Sequence, residues 1–266
     1  MSLPTAGIEL SIEHSVATLR LHNPRQYNAL TRQMCQQLIE HIARCSEDAD
    51  VAVLVLTGAG EHFCAGIAID RMDEVLFDGP DGVVNHFDAV DRALRDCPKP
   101  VIALVRGTCY GGAWQLASAC DIQLACEDVR LAITPAKIGL LFPRRGLERL
   151  VNTVGQSRAR FLLFSGLRLE VEQIAAWGLF TEVLPARDLD ERVAKLVQQL
   201  AANSPYALRR SKQAMNLLEC AEDSDSPEFW QRVWAENGTN PDLAEGRAAF
   251  EQKRRPDFRP WSASVQ

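Results

Sequence analysis

Long apolar runs are missing from this 266-residue chain, and no stretch of it would span a bilayer. It opens without a charged segment followed by an apolar core, so no secretory leader is expected. Its eight cysteines, at positions 35, 45, 64, 97, 109, 120, 126 and 220, include no C-x-x-C pair. Several sit in apolar or glycine-rich segments, where a thiol packs as a small hydrophobe, so reduced thiols and a cytoplasmic protein are expected. Internal repeats, low-complexity tracts, metal-ligand clusters, a Walker-type loop and a G-x-G-x-x-G segment are also missing. Positive charge is in the minority: 29 Lys and Arg against 35 Asp and Glu leave a formal charge of -6. Nothing in that balance suggests a general nucleic-acid surface. It does not exclude an anionic small ligand, which answers to local groups.

The composition, 47% hydrophobic and 24% charged, suits one large globular unit or a core with an appendage. Two small-residue loops stand out. Phe63-Cys64-Ala65-Gly66-Ile67-Ala68-Ile69-Asp70 follows an apolar run, and so does Gly107-Thr108-Cys109-Tyr110-Gly111-Gly112-Ala113-Trp114-Gln115-Leu116. Each reads as the opening of a helix, where bare backbone N–H groups attract negative charge. Two such groups converging on one point would form an oxyanion hole.

Around these loops the patterning is of the α/β type. Ile8–Ile12 and Val16–Leu21 read as a hairpin, and Thr31 to Arg44 has helical spacing with Met34, Leu38 and Ile42 on one face. Val51–Leu56, Val101–Val105, Ile122–Cys126 and Arg130–Ile133 read as strands. Arg71 to Gly82 is acidic and turn-rich, and Val83 to Arg95 is helical. Beyond Leu147 helices are expected near Val151–Ser165, Val171–Trp177, Leu189–Asn203, Pro205–Cys220 and Pro227–Lys253. The alternation argues for parallel β-α-β units. The amphipathic, aromatic tail, with Trp230 and Trp234, argues for packing on a partner subunit.

These residues resemble the enoyl-CoA hydratase/isomerase, or crotonase, superfamily over nearly the whole chain. The resemblance rests on Asn23-Pro24 with Asn28-Ala29-Leu30, on both glycine loops, and on Cys120-Asp121-Ile122. It rests also on Thr134-Pro135-Ala136-Lys137-Ile138-Gly139-Leu140 and on the run from Glu245 to Arg254. It implies a crotonase-like ββα superhelix (the ClpP/crotonase fold), with a spiral core over residues 1–200 and a helical trimerisation region over 201–266. It implies a homotrimer, or a hexamer made as a dimer of trimers. An acyl-CoA thioester is the implied substrate, with coenzyme A as part of it and no separate cofactor. The family's oxyanion N–H groups fall on Ile67 and Gly112. Its contacts to coenzyme A and the acyl chain fall near Ala29, Ala65, Gly66, Ile69, Gly111, Pro135 and Phe142. Arg25 is a candidate partner for a CoA phosphate.

The proton-transfer half of the family's site is not matched. Hydratases of the family carry two glutamates; Gln115 stands at one position and Pro135 at the other, and neither exchanges a proton near pH 7. The segments around Gln115 and Pro135 look more like a methylmalonyl-CoA-decarboxylase-like branch, which has a Tyr near Phe142 and a His at Ile67; both are replaced here. Ala68 replaces a common Asp, and Asp70 an often basic residue. Gln115 reads either as a hydrogen-bond donor to a carboxylate or thioester or as a relic. Arg144 and Arg145 read as solvated or subunit-contacting, His62 as a strand-end surface residue, and Asp121 as an ion-pair partner. Glu148, His86 and the loop acids Asp73, Glu74, Asp78 and Asp81 are alternative bases only if they reach the acyl group. The expectation is an acyl-CoA enzyme that holds a thioester enolate, with decarboxylation or a non-catalytic acyl-CoA-binding homologue as alternatives.

Overall fold

The computed structural model describes residues 6–80, 84–219 and 241–258. A hairpin opens the chain: β1 (Gly7–Glu13) pairs antiparallel with β2 (Val16–His22). Three strands then join in parallel, β3 (Val53–Gly58), β4 (Val101–Val105) and β6 (Ile122–Cys126), followed by β8 (Glu182–Leu184) at the edge. β3 is buried at every position, as a parallel strand covered on both faces must be. Its period-2 alternation sends Leu54 and Leu56 into the main core. Val53 and Val55 face the opposite way, joining Ile102 and Leu124 under the helix α7 (Ala186–Ala201).

On the main-core side lie α1 (Arg32–Glu47) and α3 (His86–Asp96). Thr31 caps α1 by accepting the Met34 N–H at 3.3 Å, and Asn85 caps α3 by accepting the Asp88 N–H at 2.8 Å. A second, smaller sheet pairs β5 (Thr108–Tyr110) with β7 (Arg130–Ala132). Single bridges widen it, Leu30 to Ile67, Cys64 to Cys109 and Leu131 to Leu169. Both glycine loops therefore end on one small sheet, which brings them together.

Among the described residues the remaining helices are α2 (Met72–Leu76), α4 (Gly112–Ser118), α5 (Arg144–Ser165), α6 (Val171–Ala176), α8 (Pro205–Glu219) and α9 (Pro241–Glu251). Several expectations need correction. The Gly66 loop does not open an α-helix: Ile67 bridges to Leu30, and only a 3-10 turn, Ile69–Arg71, follows. The acidic segment after it contains α2, because Val75 and Leu76 are buried. The helix expected from Val151 begins at Arg144, with Gly155 (φ 76°) breaking it midway. β5, inside the second glycine loop, and β8 were not expected from the sequence. Part of the expected Pro227–Lys253 helix, with Trp230, Trp234 and Cys220, lies outside the described residues, as does Asp81.

Candidate active site

The Asn-Pro…Asn-Ala-Leu segment is a brace for the first glycine loop. Asn28, in the left-handed region (φ 60°), donates through Nδ2 to Ala59 O (2.9 Å) and His62 O (2.7 Å), and its Oδ1 accepts the Asn23 N–H (3.0 Å). Asn23 Nδ2 donates to Ala29 O at 2.8 Å. Leu30 then locks the loop: its N–H donates to Gly66 O (2.8 Å), and its carbonyl accepts the Ala68 N–H (3.0 Å). Ala65 N–H reaches Tyr27 O at 2.9 Å. Four backbone amides are thus satisfied by one turn, which fixes where Ile67 sits.

Gly66 has to be glycine for two reasons. Its φ is +93°, and a Cβ there would lie 2.8 Å from Tyr110 O and 3.2 Å from Gly112 N. The two loops therefore touch backbone to backbone. Gly111 (φ 55°) turns the chain into α4, with its own N–H on Ala132 O. The Leu30 bridge uses the Gly66 carbonyl and the Ala68 N–H but not the Ile67 N–H, and Gly112 begins its helix. Among the described residues neither the Ile67 N–H nor the Gly112 N–H has an acceptor.

Both residues line a cavity of about 700 Å³. Ala65, Ile69, Gly111, Gln115, Pro135 and Phe142 line it too. α2 and α3 supply Leu76 and Phe87, which the sequence reading missed. The wall is largely apolar, and among its described residues there is no Asp, Glu, His, Cys or Tyr. Lys137 and Arg144 are its ionisable members, both exposed. Two acceptor-free N–H groups thus belong to residues of the wall of an apolar cavity, and that wall holds no carboxylate or imidazole to take a proton.

Gln115 is fully buried, and its amide orientation is set from behind. Nε2 donates to Asp91 Oδ2 at 2.9 Å. Asp91 is itself gripped by Arg149, Nη1 on Oδ1 at 3.2 Å and Nη2 on Oδ2, while Arg149 Nε donates to Ser118 Oγ at 3.1 Å. One N–H of the Gln115 amide is thus committed to a carboxylate of the protein. Neither Asp91 nor Arg149 stood out in the sequence. The available signal was an acid on the apolar stripe of α3, between Phe87, Val90 and Leu94.

The other expected residues lie as follows. Arg25 is exposed in a 3-10 turn, and Ala29 is buried; neither lines the cavity, and buried Gly66 supports its wall from behind. Asp70 accepts from Gln26 Nε2 at 3.0 Å on the surface. Arg144 holds Glu148 at 2.7 Å, and Arg145 lies 3.6 Å from Asp88. His86 Nε2 meets Asp78 Oδ2 at 2.8 Å, with Arg32 on the same oxygen at 3.1 Å. That hydrogen bond from His86, with the Gly79 N–H, holds the Asp78 carboxyl below its ordinary range. Asp121 accepts from Lys212 Nζ (2.8 Å) and the Val101 N–H (2.7 Å), the expected ion pair. His62 is not a surface residue: it is half-buried, edge-on to Tyr27, with Nδ1 accepting the Thr108 N–H at 3.3 Å. Cys64, next to Gly66, is no nucleophile, since burial pushes its thiol up to about 12. No helix among the described residues is long and apolar enough to cross a membrane.

A parallel-sheet core with touching glycine loops over an apolar cavity places the chain among the crotonase-like α/β folds. The sequence model of the enoyl-CoA hydratase/isomerase family matches residues 11–260, and the chain belongs to that family. A 1,2-epoxyphenylacetyl-CoA isomerase of Escherichia coli K12 is 32% identical over 254 residues, covering 93% of this chain and 96% of that protein. A solved enoyl-CoA hydratase/isomerase family member superposes with a TM-score of 0.91 at 38% identity, over 98% of this chain and 99% of that one. The enoyl-CoA hydratase of Bacillus anthracis superposes at 0.85 with 27% identity, over 95% and 98% of the two chains.

Proposed function

We propose that this chain is an acyl-CoA-processing enzyme that holds a thioester enolate oxygen between the N–H groups of Ile67 and Gly112. The observation that carries the reading is the pair of acceptor-free N–H groups on touching loops at the wall of one apolar cavity. Donors fixed by the fold need no reorganisation when charge develops on the oxygen, and low polarity around them strengthens the interaction. Ala65 and Ile69 flank this point and offer backbone to the pantetheine arm. Arg25 stays the candidate for a CoA phosphate, and residues 201–266 the candidate trimerisation region.

A wall without carboxylate or imidazole favours reactions that form the enolate without a protein base. Decarboxylation is one: the carbon–carbon bond to the departing CO₂ breaks, its electron pair enters the enolate, and solvent protonates the α-carbon. Purified protein is to be incubated in D₂O with crotonyl-, 3-enoyl-, dienoyl-, methylmalonyl- and aryl-CoA esters beside a Gly112→Pro variant, with products weighed by mass spectrometry. Water addition, isomerisation, CO₂ loss or α-deuteration that the variant lacks supports the reading. Binding of esters with no conversion or exchange in any of them points to the non-catalytic acyl-CoA-binding homologue.

A further inference from the structure

The wall of the acyl cavity is apolar but not neutral. Among its described lining residues the ionisable ones are Lys137 and Arg144, both positive, with no carboxylate beside them in the wall. Arg144 is already engaged, since its Nε holds Glu148 Oε1 at 2.7 Å. Lys137 differs: among the described residues its ammonium meets no acid and no hydrogen-bond acceptor. Its place is set from the backbone outward. It sits in the 3-10 turn Pro135–Ile138, where Pro135 is buried and the Lys137 N–H donates to Thr134 O at 3.1 Å. The stem then runs over Gly166, which ends α5 with φ 55°. A Cβ there would lie 2.8 Å from Lys137 Cε, 3.4 Å from Cγ and 3.5 Å from Cδ. The glycine thus keeps clear a path along which the stem packs while the exposed head keeps its charge.

We propose that Lys137 is the counter-ion of a carboxylate at the far end of the acyl chain, so that the protein prefers thioesters of dicarboxylic acids over neutral acyl thioesters of the same length. This rests on the acyl-CoA reading above and names the class of acyl group. The ends of such a ligand match separate parts of the cavity: the two N–H groups belong to the glycine loops, and Lys137 to the segment that carries Pro135 and Phe142. A carboxylate entering an apolar wall loses hydration, and a cation within reach offsets that loss; a methyl terminus needs no such partner. The phosphates of coenzyme A offer the same anionic oxygens. Their candidate partner Arg25 does not line the cavity, whereas Lys137 does, which favours the acyl carboxylate.

The test is calorimetric titration of the full-length protein, at low ionic strength, with glutaryl-, adipyl- and suberyl-CoA and with their neutral counterparts pentanoyl-, hexanoyl- and octanoyl-CoA. At least one carboxy ester is expected to bind about five-fold tighter than its counterpart, an advantage that shrinks as salt is added. In Lys137→Met, which keeps the bulk of the stem at an exposed position, that ratio should fall to about one or below. In Gly166→Ala, which crowds the stem but leaves the charge, the advantage should shrink while the neutral esters bind as before; an unchanged advantage there overturns the part given to Gly166. If Gly166→Ala does not fold, Lys137→Met alone decides the proposal. Equal weakening of carboxy and neutral esters in Lys137→Met would assign the ammonium to the CoA phosphates and overturn the proposal. Equal binding of the two series to the native protein, or an advantage surviving in Lys137→Met, overturns it too, while the acyl-CoA reading stands. Failure of every ester to bind overturns both.

Discussion

Replacing Gly66 with alanine separates two costs that the structure stacks on one residue. The backbone there has φ +93°, and forcing an L-residue into left-handed geometry costs roughly 1–2 kcal/mol. The added Cβ would also lie 2.8 Å from Tyr110 O and 3.2 Å from Gly112 N. Both are main-chain atoms on a loop tied to the small sheet, so no rotamer change relieves them, and overpacking of this kind costs about 1–3 kcal/mol. The expected total is a loss of about 2–5 kcal/mol. Gly60 is the internal control: its φ is +71°, but a Cβ there meets nothing within 4 Å. Gly60→Ala should therefore lose only the backbone part, roughly 1–2 kcal/mol. Urea denaturation of both variants at one protein concentration, followed by tryptophan fluorescence, gives the difference directly; Trp114 is buried and reports on α4. If the two substitutions cost the same, the loops do not touch as described, and the case for two converging N–H groups loses its footing.

Other expectations follow from the same packing. Asn28→Ala removes three hydrogen bonds, strands the buried Asn23 N–H and keeps a positive φ, so denaturation should show a loss of about 2–4 kcal/mol, only partly restored in Asn28→Gly. Glu182 is held below its ordinary 4.5 by hydrogen bonds from Arg192, at 2.5 and 2.9 Å, which tie β8 to α7. A depressed carboxylate stabilises the fold above the unfolded-state value and loses that contribution as pH falls through the folded one. Glu182→Gln should therefore cost under ~1 kcal/mol at pH 7, the pair being partly solvated, with a gap to the native protein that closes below pH 4.5. The seven described thiols are all buried, with Cys35 and Cys64 pushed up to about 12. In a Cys220→Ser background an aromatic disulfide reagent at pH 8 should label them slowly when folded and all seven at once in denaturant; fast labelling of the folded form would contradict the packing.

The long parallel strands were legible because each is dominated by apolar residues: Val101–Val105 and Ile122–Cys126, the latter interrupted only by Gln123, are found where the sequence places them. β5 and β8 were not: β5 lies inside the second glycine loop, and pairing with neighbouring strands decides both. α2 was hidden behind four acids in a stretch where Val75 and Leu76 are buried in the core. At the candidate site, the glycines announced the loops, but not that they touch; that contact depends on bridges from Leu30 and Cys64. The Asp91–Arg149 clamp was out of reach in another way. Its members lie 24 and 34 residues from Gln115, on separate helices, and only packing of α3 and α5 against α4 joins them. The same clamp alters the reading of Gln115: a side chain open to donor roles in sequence has one amide N–H committed to a carboxylate of the protein.

The central claim is that two backbone N–H groups polarise a thioester carbonyl, and a vibrational measurement tests it most directly. Isotope-edited infrared difference spectra are to be taken of a ¹³C=O-labelled acyl-CoA bound to the native protein and to Gly112→Pro, whose ring removes one donor at the first helical position, with its Cβ 3.0 Å from the Phe87 ring. The carbonyl band should move to lower frequency on the native protein and move less on the variant. A bound thioester whose carbonyl band matches that of the free ester, or shifts equally on both proteins, would contradict the account.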